Sequence, residues 1–149
     1  MNRMIFVAML LALFATSTSE GQDAESAIIA SGTIMDIMVV TITPATDILW
    51  GVDDPQTDED WQVLDDAAVT VIEAFERTRN GGAGPNDNSW AADEKFQAYI
   101  DEEIAASSAA RVAIAAKDLD ALFEAGDALY SPCENCHVDY NPAVAGEEY

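Results

Sequence analysis

Apolar residues return at three- and four-residue steps along four stretches of this 149-residue chain, a period that helices packed against one another can bury. In the first stretch, from about Ala24 to Trp50, the repeating residues are Ile34, Ile37, Met38, Ile42, Ala45 and Leu49. Pro44 interrupts it, and because proline has no backbone N–H to give, a kink or a loosened turn is expected there. Thr57 followed by Asp58, Glu59 and Asp60 has the composition of a helix start. Behind it run Trp61, Leu64, Ala68, Val71 and Phe75, and the stripe stops at Asn80-Gly81-Gly82. Ser89 is the expected cap of a third helix carrying Trp90, Phe96, Ile100, Ile104 and an alanine-rich tail to about Ala116. Asp118 opens a fourth, with Leu119, Leu122, Phe123, Gly126, Leu129 and Tyr130 on one side. The β-branched run Val39-Val40-Thr41-Ile42-Thr43 lies inside the first helical period and makes no separate strand. Four amphipathic helices with short or moderate connections predict an all-α, antiparallel four-helix bundle.

The first 19 residues are expected to lie outside this fold. Met1-Asn2-Arg3 is a short positive head, Met4 to Ala15 is unbroken apolar sequence, and Ala15-Thr16-Ser17-Thr18-Ser19 supplies small residues. That is the layout of a secretory signal peptide, cleaved after Ser17 or Ser19, and the apolar run is too short to span a bilayer as a helix. Residues 20–149 then form one exported, soluble domain, with the periplasm as its compartment.

Charge narrows the function classes. Six Lys and Arg stand against 28 Asp and Glu, a net charge of −22, or −23 once Arg3 leaves with the signal. Such a field repels phosphate backbones and anionic lipid head groups, so nucleic acid and membrane surfaces are poor partners. A protein partner with a positively charged docking surface is favoured instead.

The chemistry is concentrated in Cys133-Glu134-Asn135-Cys136-His137, which holds the only two cysteines and the only histidine of the chain. C-x-x-C-H is the attachment signature of c-type haem. Two thiols three positions apart each form a thioether with a vinyl group on one porphyrin edge, and the imidazole one residue later falls under the iron as its proximal ligand. On the fourth helix Gly126, Tyr130, Cys133 and His137 are three or four residues apart and share a face with Leu122 and Leu129, which directs one covalent haem c toward apolar packing near the end of the last helix. Three other readings are weaker. A Cys133–Cys136 disulfide would close too small a loop to staple much. A thioredoxin-like pair wants a βαβ context. Structural zinc would need a fourth ligand that is neither Cys nor His.

A haem motif near the C-terminus of an exported all-helical chain resembles the class II c-type cytochromes, the cytochrome c′ and cytochrome c-556 group. Asp36-Ile37-Met38, Pro44, Asp47-Ile48-Leu49-Trp50 and Thr57-Asp58-Glu59-Asp60-Trp61 are similar to the cytochrome c-556-like branch. So is the ending Ala121-Leu122-Phe123-Glu124-Ala125-Gly126, Leu129-Tyr130, Cys133-x-x-Cys136-His137-x-x-Tyr140. The sequence departs from cytochrome c′ four positions after His137, where Asn141 replaces the usual basic residue.

The second axial position separates the functions. With His exhausted, a protein sixth ligand must be Met or something weaker, and Met35 and Met38 remain on the first helix. The resemblance implies that low-spin members use a methionine on this helix at the position of Met38. Packing of Met38 as core filler, with an open or water-bound iron, is the competing reading. Met ligation makes an electron carrier, since both axial sites are filled and a soft sulfur favours Fe(II). An open site makes a cytochrome c′-like binder of nitric oxide or carbon monoxide. A peroxidase would want a polar distal acid–base pair, which the Ile, Val and Thr of the first helix do not offer, so no enzymatic activity is expected. Tyr130 and Tyr140 flank the motif as candidate haem contacts, Arg77 and Arg79 as candidate partners of propionates, and Trp50, Trp61 and Trp90 as bundle packing. The resemblance also implies a helix-packed homodimer.

Overall fold

In the computed structural model, residues 32–141 are described, and all regular structure among them is helical. The signal segment 1–19 and the first turns expected from Ala24 lie outside these residues. Helix α1 (Ile34–Ile37) runs directly into a π-helical turn (Met38–Ile42) and on into α2 (Thr43–Trp50). Then follow α3 (Asp58–Thr78), the short α4 (Asp87–Ala91), α5 (Glu94–Ala116) and α6 (Leu119–Tyr140). None of the helices described is long and apolar enough to cross a membrane.

The first helical unit shows why a pattern can demand a π turn. Its inward residues come in pairs that repeat every fourth position: Ile37 beside half-buried Met38, then Thr41 and Ile42, then Ala45 and Thr46, then Leu49. An α-helix turns about 100° per residue, so a repeat of four drifts about 40° each time and would carry the stripe off the core within three repeats. The wider turn absorbs that drift, with the Thr43 N–H donating to the Met38 carbonyl five residues back. Pro44 follows at once and, lacking an N–H, has no α-helical bond to give to Val40. The loosened turn expected at Pro44 is therefore present, on its N-terminal side.

Helix starts follow local chemistry. Thr33 and Asp36 form a reciprocal capping box on α1, Thr57 and Asp60 another on α3, and Asp118 accepts from the Ala121 N–H to begin α6. The third helix departs from expectation. Ser89 lies inside α4 with its hydroxyl bonded to the Asn86 carbonyl, and the long helix begins afresh at Glu94, where Asp93 accepts from the Lys95 N–H. An aspartate with extended backbone caps better than a serine already inside a turn.

The α1–α2 unit packs on α3, α3 on α5 and α5 on α6, while α2 also touches α6 through Trp50, whose Nε1 donates to the Gly126 carbonyl at 2.9 Å. Ile37, Val71, Phe96, Ile100, Leu122 and Leu129 are the large residues at the centre. Around them Ala67, Ala68, Ala74, Ala106, Ala110 and Ala113 keep α3 and α5 close, since small side chains shorten the distance between helix axes. The expected stripes are buried or, at Met38, Trp90, Ile104 and Leu119, half-buried, while Phe123 and Tyr130 point outward, at 46% and 58% exposure.

Candidate functional site

Helix α6 carries Cys133, Cys136 and His137 through its last two turns. Pro132, buried one residue before Cys133, continues the helix without the N–H that would bond to Ala128. Beyond the motif, Asp139 accepts from the Tyr99 hydroxyl at 2.7 Å and pairs with Lys95, so the end of α6 is tied to α5. Lys95 beside it, with the Tyr99 hydroxyl, holds the Asp139 carboxyl below the usual carboxylate range. Tyr140 packs edge-on to Phe96, with ring centres 5.1 Å apart, and to Trp90 at 6.1 Å. Its hydroxyl is pushed up to about 12, first by burial and then by a hydrogen bond to Asp93.

Two cavities meet at this motif. A small one of about 20 Å³ lies between α3, α5 and α6 and is walled by Met38, Phe75, Thr78, Phe96, Tyr99, Ile100, Glu103, Cys133, Cys136 and His137. A larger one of about 270 Å³ opens toward α1 and α4, with Met35, Met38, Asp87, Trp90, Phe96, Cys136, His137 and Tyr140 in its wall. Met38, Phe96, Cys136 and His137 border both. The wide groove of about 540 Å³ between α3 and α5 holds none of these residues.

Met38, the two cysteines, His137 and Tyr140 are thus brought together. Met35 reaches only the larger cavity and is 52% exposed. Tyr130 borders neither cavity; one turn before Cys133 on the same helix, it is 58% exposed among the described residues. Arg79 is engaged by Glu76, Asp101 and Gln97, and Arg77 donates to the Gly81 carbonyl, both outside the cavity walls. Trp61 is core, Trp90 borders the larger cavity, and Trp50 is the α2–α6 tie.

Two residues went unnoticed in the sequence. Glu103 is 1% exposed, and neither carboxylate oxygen finds a hydrogen-bond partner of good geometry. Burial raises its pKa to about 7, an effect only partly offset by the facing Cys133 thiol. Its signal was positional: Phe96, Ile100, Glu103, Ser107 and Ala110 step along one buried face of α5, and the acid occupies the place the periodicity gives an apolar side chain. Asp87, 3% exposed, accepts from the backbone N–H groups of Ile34 and Gly84.

The donor set fits a porphyrin better than a bare ion. Burial, reinforced by the charge of Glu103, lifts the Cys136 thiol to about 12 and raises that of Cys133 further. Thiols held protonated do not make a low-pKa redox pair. Among the described residues, no three His, Cys, Asp or Glu side chains gather where they would enclose an ion. The walls contributed by Phe75, Phe96 and Ile100 are flat or branched hydrocarbon, the lining an apolar macrocycle needs.

No curated protein and no solved structure matches the chain. Residues 26–141 match the family model described as Cytochrome C'.

Proposed function

The chain belongs to the Cytochrome C' family, and from that premise we propose that it is an exported carrier of single electrons. In this reading one haem c is held by thioethers from Cys133 and Cys136, in a four-helix bundle, with His137 as proximal ligand and Met38 as the sixth. The observation that carries it is the shared border of the two cavities, where Met38, Cys136 and His137 each line both. When bound, the haem supplies an iron that changes charge by one electron.

The chain's own residues do the rest. Cys133 and Cys136 fix the macrocycle to α6, and Asp139, through Lys95 and Tyr99, holds that end of α6 against α5. Phe75, Phe96 and Ile100 exclude water, which limits the solvent rearrangement that accompanies a change of charge. The Met38 thioether, a soft donor, favours the reduced state and closes the position at which a gas or peroxide would bind. The leader layout of residues 1–19 supports export to the periplasm, and the net charge of −22 supports docking to cationic redox proteins. Exposed Met35, Val39, Ile48 and Trp50 on the first helical unit offer apolar surface for a homodimer.

Absorption spectra of the oxidised and reduced protein test the ligation directly. Six-coordinate, low-spin haem is expected, and Met38→Ala should convert it to a high-spin form that takes up carbon monoxide at least tenfold faster when reduced. A parent protein already high-spin, with carbon monoxide uptake equal to that of Met38→Ala, would replace this reading with a gas-binding, cytochrome c′-like one.

A further inference from the structure

The turn that carries Met38 is held from outside its own helix. Asp87, on α4, is 53 residues away in sequence, yet its Oδ2 accepts the Ile34 N–H at 2.9 Å and the Gly84 N–H at 2.8 Å. The loop before α4 wraps this carboxylate so closely that a side chain at Gly82 or Gly84 would have to displace it. A Cβ on Gly84 would stand 2.5 Å from Asp87 Oδ1, and one on Gly82 would stand 2.5 Å from Oδ2 and 3.2 Å from the Ile34 nitrogen. The Ala83 N–H adds a bond to the Gly32 carbonyl at 3.2 Å, so the loop grips both sides of the helix entry. Ile34 and Met38 are one turn apart, about 6 Å along the axis, and Asp87 and Met38 border the same cavity as His137. Met38 itself opens the wide π turn, where its carbonyl accepts from the Thr43 N–H five residues on in place of the tighter α-helical bond.

We propose that Asp87 is a positioning residue for the sixth iron ligand: by holding the Ile34 N–H inside the glycine loop, it keeps the first turn of α1 placed so that Met38 stays on the cavity that His137 borders. The proposal rests on Met38 being that ligand. Asp87 touches neither haem nor iron in this scheme; it acts through the backbone of residues 34–38.

The test uses the haem-loaded protein and four variants, each read by absorption spectrum, rate of carbon monoxide binding to the reduced form, and thermal unfolding. Asp87→Ala removes the clamp. Gly84→Ala keeps the carboxylate but forces it to shift, and it decides the matter alone if Asp87→Ala fails to accumulate. Thr33→Ala removes the cap within α1 and leaves the clamp, as a control for simple weakening of the turn. Met38→Ala defines the open site. Partial conversion to high spin and carbon monoxide binding at least tenfold faster are expected for Asp87→Ala and Gly84→Ala, with Thr33→Ala melting lower but keeping the parent spectrum. The proposal is overturned if both clamp variants keep the parent spectrum and gas rate while Met38→Ala opens the site. Opening by Thr33→Ala to the same extent would overturn it too, because any loosened first turn would then suffice. A Met38→Ala variant that is spectrally unchanged would instead remove the sixth-ligand reading itself, and this proposal with it.

Discussion

Replacing Glu103 by Gln should stabilise the protein at neutral pH and leave it nearly unchanged in mild acid. The carboxyl is 1% exposed, without a well-formed hydrogen bond on either oxygen, and its pKa is raised to about 7 from an ordinary 4.5. The folded state therefore keeps the proton while the unfolded state releases it. Between pH 4.5 and 7 the folded protein binds more protons, so stability falls as pH rises, and it levels off above 7, where both states are ionised. At about 1.36 kcal/mol per pKa unit, that difference amounts to about 3 kcal/mol. Gln has nearly the same shape and no charge to desolvate, so the variant loses this slope. Thioether formation does not weaken the expectation: it removes the Cys133 S–H, the group that eases the Glu103 charge. The assay is denaturant unfolding of the haem-loaded parent and Glu103→Gln at half-unit steps from about pH 4.5 to 8. Other carboxylates cancel in the difference between the two curves. That difference should grow by about 3 kcal/mol in favour of the variant, equivalent to roughly 10 °C in melting temperature for a domain of this size. A difference that stays flat to within about 0.5 kcal/mol across the range would refute the argument that this acid is buried with its ionisation unrelieved.

Three further outcomes follow from the same reading. Acid–acetone treatment of the denatured protein should leave the haem with the polypeptide; Cys133→Ala should retain at most one thioether, and colour passing into the organic phase would refute covalent attachment. Electron exchange with a cationic partner should slow as salt rises, and with an anionic partner quicken, because exposed charges are screened within about 10 Å at about 0.1 M; rates indifferent to salt for both would mean the acidic surface takes no part in docking. Thr57→Ala should cost about 1 kcal/mol in chemical denaturation by removing the hydroxyl that receives the Asp60 N–H at the start of α3, and an unchanged midpoint would show that Asp58, Glu59 and Asp60 hold this end unaided.

Much of this protein is determined within a few residues at a time. Thr57 and Asp118 begin helices because their side chains bond the backbone three positions on, and that chemistry is complete in the sequence. The stripe Trp61 to Phe75 and the residues Leu122, Gly126 and Leu129 lie inward because helix geometry ties spacing to direction. C-x-x-C-H is local for the same reason, since both thiols and the imidazole span little more than one turn. What required the tertiary structure is whatever depends on which helix lies opposite. Tyr130 and Tyr140 look alike along α6, yet among the described residues Tyr140 meets Phe96 and Trp90, while Tyr130 is exposed. Met35 and Met38 are both on the first helix, yet only Met38 borders both cavities, and the turn that carries it meets a carboxylate that lies 53 residues beyond Ile34 in the chain. Glu103 reads as one more surface acid among 28 until α3 and α6 close over it. Burial is a property of the neighbours as much as of the residue, and the chain gathers those neighbours only when it folds.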